Sequence, residues 1–512
     1  MDNGIICSWI KTMDKRDIKS WLTVALMLIS IGLLSCSHGI YGAVVIKTHY
    51  VPPQKMSSIK PLSLPAGSDT VILSITGTDF KPIVQEVSVA THPSGVTIRG
   101  IPCGQERTVS IEVQDASHRS IAKGKTAGIA IHAGSTSNVD ILITQVGLFT
   151  QLNARVLPRA FAVSSPLPDG RYIIMGGMTD RQSLCGSGCV QLAATQDTEI
   201  YDPSTGTFLP GPRMSEPRVF FTANELPDGS VAVIGGTDAV QMSCTVTACS
   251  ISLPRDRIKT SIEVFDPVSS SFYKAQALSV PRAGHTANLL SGNGLLIAGG
   301  ISSYGPAASA ELLDIKTGKV VLYSMSFTRV FQTAFAFQDN ALFLAGGTYE
   351  NDQTEFFQPS GFTPSGTITC SAYFPSSVFM EISKIAVLNG GLDAYQQPVS
   401  RLMIIDLENR AVLSYHTMPF PRALFSDSIL GDGNVLIAGG ITNSVFAVSD
   451  AAEVFNPQSK MFVKYLSLST QRAGYAAQSL QDGSALIVSG FSNLNALTGP
   501  ITFADTAELY NP

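Results

Sequence analysis

The chain has 512 residues, room for two or three domains, with a net charge of −5 and a pI near 5.8. That balance argues against the basic footprint of a nucleic-acid binder. Charged residues make up 14% and hydrophobic residues 45%, with a mean hydropathy of +0.21, which suits short strands packed between sheets on both faces.

The first stretch reads as an export signal. Lys11, Lys15, Arg16 and Lys19 precede a fourteen-residue apolar run from Trp21 to Leu34, the basic and apolar regions of a signal peptide over residues 1–35. The following Leu33-Leu34-Ser35-Cys36 resembles a bacterial lipobox, which implies a lipoprotein whose mature first residue is a diacylated Cys36. A transmembrane anchor is the alternative, since no Asp, Glu, Lys or Arg occurs between Trp21 and Ile46. Either way the chain beyond residue 46 is expected outside the cytoplasm, membrane-anchored at the outer membrane, in the periplasm or at the cell surface.

Residues 36–60, with Val51-Pro52-Pro53 and Lys60-Pro61 nearby, read as a tether. Residues 61–146 carry runs such as TVILSITGT, RTVSIEVQDA and NVDILITQV separated by Gly, Asp and Ser. Roughly seven short strands with alternating polarity predict a small antiparallel β-sandwich. GIPCGQERTVSIEVQDA loosely resembles immunoglobulin- or transthyretin-like accessory domains, and the sandwich is expected to sit rigidly against the C-terminal part of the chain.

From residue 147 the sequence repeats itself. An Arg lies seventeen positions before the first residue of a Gly-Gly or Ser-Gly pair at Arg159, Arg218, Arg282, Arg329, Arg422 and Arg472. A seventh copy ends at Gly390-Gly391, with Tyr373 in place of the Arg. Between Arg and Gly-Gly stand two apolar strands joined by a tight turn, Asp169-Gly170, Asp228-Gly229, Asn293-Gly294, Asp432-Gly433 or Asp482-Gly483, pairs suited to positive φ. After a loop of variable length comes a third strand with a Glu: Glu199, Glu263, Glu311, Glu355, Glu453 and Glu508. A fourth follows, often with a Phe such as Phe208, Phe272 or Phe462.

Four strands per unit, seven times over, match a β-propeller, and these residues resemble the Kelch family, of which the galactose oxidase central domain is one example. Phe stands where Kelch repeats usually carry Trp. The resemblance covers about residues 147–512 and implies a seven-bladed propeller, so the fold class is all-β. The last repeat has only three strands before Pro512, and Gly147-Leu148-Phe149 aligns with Gly206-Thr207-Phe208. Residues 147–153 are therefore expected to supply the outer strand of the seventh blade.

The first Gly lies 23 residues before the Glu in repeat one and 28 in repeat two, against 12 and 9 in the next two. Such long loops on one face are where a binding surface is built. They hold Cys185, Cys189, Cys244 and Cys249 at equivalent places. Local disulfides Cys185–Cys189 and Cys244–Cys249 are the expectation in an exported protein, with a four-thiolate zinc site as the alternative. Cys103 and Cys370 are left as buried free thiols.

The six arginines admit two readings. They form a cationic rim for a carboxylate or acidic glycan, or they pair internally with the six glutamates. The fifth repeat supports pairing, because it lacks both partners, with Tyr373 and Met403 instead. Catalytic residues are unassigned and no cofactor or metal is called for. His285 and His416 are the only histidines after residue 146, and the two His and two Tyr of a galactose oxidase copper site cannot be assembled. The expected role is binding a protein or glycan through the loops of repeats one and two. The alternative is a carbohydrate-active enzyme, a metal-free epimerase or oxidase-like, with its site at the mouth of the central channel.

Overall fold

The computed structural model describes residues 41–50, 64–90, 97–186, 188–290, 294–337, 341–347, 353–368, 373–494 and 500–512. The leader, Cys36 and Cys370 lie outside these residues. The described chain is all-β, interrupted by one short 3-10 turn at Arg255–Arg257. Among the described residues no helix is long and apolar enough to cross a membrane. One compact unit holds the described residues up to Ile141, apart from Tyr50 and Ile121–Lys123; the other holds those and Leu142–Pro512.

The sheet of the first unit has seven strands, and the first of them corrects the expected tether. Tyr41–Tyr50 is a strand paired antiparallel with Thr97–Pro102, from Tyr41↔Pro102 to Val45↔Thr97. Its alternation of inward Val44 and Ile46 with outward neighbours gives it a buried face, a pattern hidden in the sequence because it comes directly after an apolar leader. The strands hydrogen-bond in one path, not in the two separate sheets of a sandwich. The path runs Phe80–Ser88, Ser68–Gly77, Gly104–Asp115, Ser120–Ile131, Thr136–Gln145, Tyr41–Tyr50, Thr97–Pro102. Arg107, Val109, Ile111 and Val113 alternate inward. The Arg107 guanidinium is held by both oxygens of Asp79 at 2.6 and 2.9 Å and by Cys103 O. Cys103 is disulfide-bonded, which corrects the free-thiol expectation.

In the second unit each repeat forms one antiparallel meander. The first runs Val163–Pro166, Tyr172–Met175, Thr198–Asp202 and Thr207–Pro210, and six more have the same strand order. Second strands such as Tyr172–Met175, Val231–Ile234, Val435–Ala438 and Ala485–Val488 are buried at every position. Both faces of each are covered by neighbouring sheets, so their sequences run continuously apolar. Each buried Val, Leu or Ile there contributes roughly 1.5–3 kcal/mol. The seven first strands neighbour one another in chain order, and Ala476–Ser479 of the last neighbours Val163–Pro166 of the first.

The seventh sheet is completed from upstream. Phe149–Gln151 pairs with Ala507–Tyr510 in the register Gln151↔Glu508, Thr150↔Leu509, Phe149↔Tyr510. Gly147 N and Leu152 N donate to Asn511 O and Ala507 O on either side. Phe149 and Tyr510 rings lie 5.2 Å apart. The same third-to-fourth-strand aromatic pair recurs as Tyr201–Phe208, Phe265–Phe272, Phe357–Phe362 and Phe455–Phe462 at 4.8–5.2 Å. Phe149 is thus the fourth-strand aromatic of repeat seven.

Candidate functional site

The repeated arginines do not line a rim. Each is at most 1% exposed and meets the glutamate of its own repeat. The seventeen-residue interval has a direct cause: Arg Nη1 donates to the carbonyl of the residue seventeen positions on. The distances are 2.7 Å for Arg218 to Gly235, 2.8 Å for Arg282 to Gly299 and 2.9 Å for Arg472 to Ser489. A glycine at positive φ turns its carbonyl out of the ladder, and the guanidinium supplies the missing donor. In five of the six repeats the carboxylate takes a backbone amide just before the Arg, as Glu311 does from Ser279 N and Val280 N, whereas Glu453 Oε2 has no hydrogen-bond partner among the described residues. Burial pulls the Arg282 guanidinium below its ordinary value, and Glu311 opposes that pull.

The Gly-Gly corners lock successive sheets together. Gly177 N donates to Arg218 O, Gly236 N to Arg282 O, and so on to Gly490 N, which donates to Arg159 O. A Cβ on Gly176 would lie 2.6 Å from Arg218 O, so no larger residue fits that corner. At the seam Ser489 keeps φ 55° and adds its hydroxyl, donating to Ala504 O or Arg159 O and accepting from Arg159 N.

The long loops of repeats one and two are not two separate flaps. They pair with each other into a four-stranded crown sheet, Met178–Gly186, Cys189–Ala194, Ala239–Cys244, Cys249–Ser252. The cross-repeat register runs from Cys189↔Ser243 to Ala193↔Ala239. Disulfides Cys185–Cys189 and Cys244–Cys249 close its two hairpins, so these cysteines are not a zinc site. The crown reaches the sixth repeat as well: Cys249 N donates to Ser444 O and Ser444 Oγ to Thr247 O. Leu192, Val240, Met242, Cys244 and Cys249 face inward, while Asp180–Leu184 are exposed, Leu184 at 86%.

Beneath the crown, aromatic rings pack against one another. The second residue after each Arg has positive φ: Phe161, Phe220, Gly284, Phe331, Leu424 and Gly474, with Phe374 one residue after Tyr373. Phe331 and Phe374 stack at 3.9 Å, Phe220 lies 4.9 Å from Phe331, and Phe161 lies 4.8 Å from Phe220. These rings and the inner face of the crown form one apolar cluster with Ile441, Phe446 and Phe491. Holding five non-glycine residues in the left-handed region costs on the order of 1–3 kcal/mol each, which the packed rings offset. Sequence reasoning missed this plug, although an aromatic two places after Arg159, Arg218 and Arg329 was there to be read.

The two histidines are apart in role. His285 packs at the second–third sheet junction, with Nε2 3.1 Å from Thr222 Oγ1; burial and the neighbouring Arg282 charge lower its pKa to about 3. His416 lies on the outer strand of the fifth sheet, 2.9 Å from Ser414 Oγ.

No protein-family model and no curated protein matches the chain. Among solved structures it is similar to a fungal alcohol oxidase described as having catalytic diversity among the AA5 family, in complex with copper. The identity is 15%, the TM-score 0.54, and the match covers 72% of this chain and 76% of that one. The likeness supports a galactose-oxidase-like all-β fold. Among the described residues no three His, Cys, Asp or Glu are grouped to hold a metal.

Proposed function

We propose that the protein is an exported, lipid-anchored, seven-bladed Kelch-type propeller lipoprotein that binds a protein or glycan ligand on the outer side of its crown. The observation that carries this reading is the crown itself. Two long loops combine into one disulfide-closed sheet over the end of the axis, where a plain propeller would leave an open mouth. A sheet fixed on a rigid scaffold with an exposed strand is a binding platform that loses little entropy on engagement. Exposed apolar tips occur on this sheet at Leu184 and Val246, and in the equivalent loops of repeats three and five at Tyr304 and Tyr395. The phenylalanine plug under the crown makes a catalytic site at that mouth the weaker reading.

The test is a glycan array and an immobilised panel of surface proteins, probed with the protein and with Leu184→Asp/Val246→Asp. Spots bound by the wild type and lost by the variant support the crown. Undiminished binding by a correctly folded variant places the ligand elsewhere and overturns the proposal.

A further inference from the structure

The fifth repeat departs from the others at a third position besides Tyr373 and Met403. The residue before the glycine pair is Met175, Ile234, Ala298, Ala345, Ala438 or Val488 in six repeats but Asn389 in the fifth. The next sheet answers it. Three places after the left-handed residue, the seven first strands carry Ser164, Ala223, Ala287, Ala334, Ser377, Asp427 and Ala477. Only one is charged, and it is the neighbour of Asn389. Asn389 Nδ2 donates to Asp427 Oδ2 at 2.9 Å, and Asp427 N donates to Ser376 Oγ at 2.9 Å.

What remains is an imbalance of donors. Asn389 is 1% exposed, and both Asn389 Oδ1 and Asp427 Oδ1 are buried with no hydrogen-bond partner. Two acceptor oxygens on side chains already in contact lack a donor, and both atoms are buried although Asp427 as a whole is half-buried. Leaving both orphaned is costly. One proton serves both. We propose that Asp427 is held as the neutral acid, with Oδ1–H donated to Asn389 Oδ1, and that this acid–amide pair is a proton-operated lock between the fifth and sixth sheets.

The surroundings agree. The strands packed on Asp427–Ile429 are Ser376–Met380, Val435–Ala438 and Ala476–Ser479, and none carries an ionisable residue. The charged or ionisable groups that reach Asp427 are Arg422, itself bound to Glu453 at 2.5 Å, and Tyr475, whose hydroxyl is engaged with Ser426 and Ala438. Burial outweighs the hydrogen bonds of Ser376 and Asn389 and the Arg422 charge, and lifts the Asp427 pKa to about 7. Ionisation near neutral pH sets two lone-pair oxygens against each other and loosens this junction. The sixth repeat also carries Ser444, the residue that holds the crown hairpin, so loosening there would reach the crown.

Asp427→Asn is the discriminating variant, because its amide can donate to Asn389 Oδ1 and accept from Asn389 Nδ2 at every pH. Thermal unfolding of the protein and the variant between pH 5.5 and 8.5 is expected to show the variant gaining on the wild type as pH rises, and matching or exceeding it at pH 8.5. A difference in Tm that does not change with pH, or a variant less stable at pH 8.5 than at pH 5.5 relative to wild type, overturns the lock. An infrared pH titration of the wild type alone reads the same group without a variant. A carboxylic-acid carbonyl band that fades as pH rises through about 7 supports the proposal; its absence at pH 5.5 overturns it.

Discussion

Replacing Arg282 isolates what the buried pairs do. Arg282 is 0% exposed and donates to Glu311 Oε1 at 3.1 Å, to Gly299 O and Ser309 O at 2.8 Å, and to Ser309 Oγ at 2.9 Å. Arg282→Met keeps the stem and deletes the charge, leaving Glu311, 1% exposed, as an unmatched carboxylate and Gly299 O without its donor, while Ser309 O keeps only Gly299 N. Breaking such a pair costs about 3–5 kcal/mol. The fifth repeat shows another solution, with Met403 buried where the others place Glu. Arg282→Met/Glu311→Met is therefore expected to lose about 2 kcal/mol less than Arg282→Met alone, since partners in one network couple. Urea unfolding followed by far-UV circular dichroism, at constant m, measures each value. A single substitution costing under about 1 kcal/mol, or a double equal to the sum of the singles, would refute the claim that the arginines act through their glutamates.

The same geometry sets other outcomes. Ser489→Ala removes the hydroxyl that serves Arg159 N and Arg159 O, and should cost about 1–3 kcal/mol in chemical denaturation. Tyr510→Ala deletes the partner of Phe149 at the closing strand, with an expected loss of about 3–5 kcal/mol read as an earlier unfolding midpoint. Cys244→Ser/Cys249→Ser should speed proteolysis within the crown while costing only about 2 kcal/mol globally, because the closed loop is short. His285 has a depressed pKa of about 3, so the unfolded chain binds its proton first and stability falls as pH drops from about 6.5 towards 3. His285→Gln should flatten that limb of a Tm-against-pH curve. The Asp427 effect has the opposite sign, with a raised native pKa of about 7 and stability lost as pH rises from about 4 to 7; hence the comparison with Asp427→Asn, in which the His285 contribution cancels.

Much of the second unit could be read from residue spacing because its rules are local. The interval from Arg159 to Gly176 is the reach of one guanidinium across a hairpin to the carbonyl it serves, and a copied geometry leaves a copied number. Phe149 could be placed because it answers Tyr510 as Phe208 answers Tyr201. The crown could not be foreseen. Its register joins Cys189–Ala194 to Ala239–Cys244, two loops whose sequences share only their cysteine positions and whose pairing depends on repeats one and two being neighbours. Asp427 and Asn389 are 38 residues apart in segments that each look unremarkable; only the packing of the fifth sheet against the sixth brings out the missing donor. Tyr41–Tyr50 went unread for a different reason, since an apolar strand beside an apolar leader has no boundary in composition.

The second unit stands or falls on closure of its last sheet by the strand that precedes its first. Amide hydrogen exchange at Leu152 and Gly490 tests this most directly, because their N–H groups donate to Ala507 O and Arg159 O across the seam. Closure predicts protection comparable to Gly236 and Gly440 inside the ring, with all four exchanging through the same global opening. Exchange at Leu152 and Gly490 at the rate of a fraying end, while Gly236 and Gly440 stay protected, would contradict it.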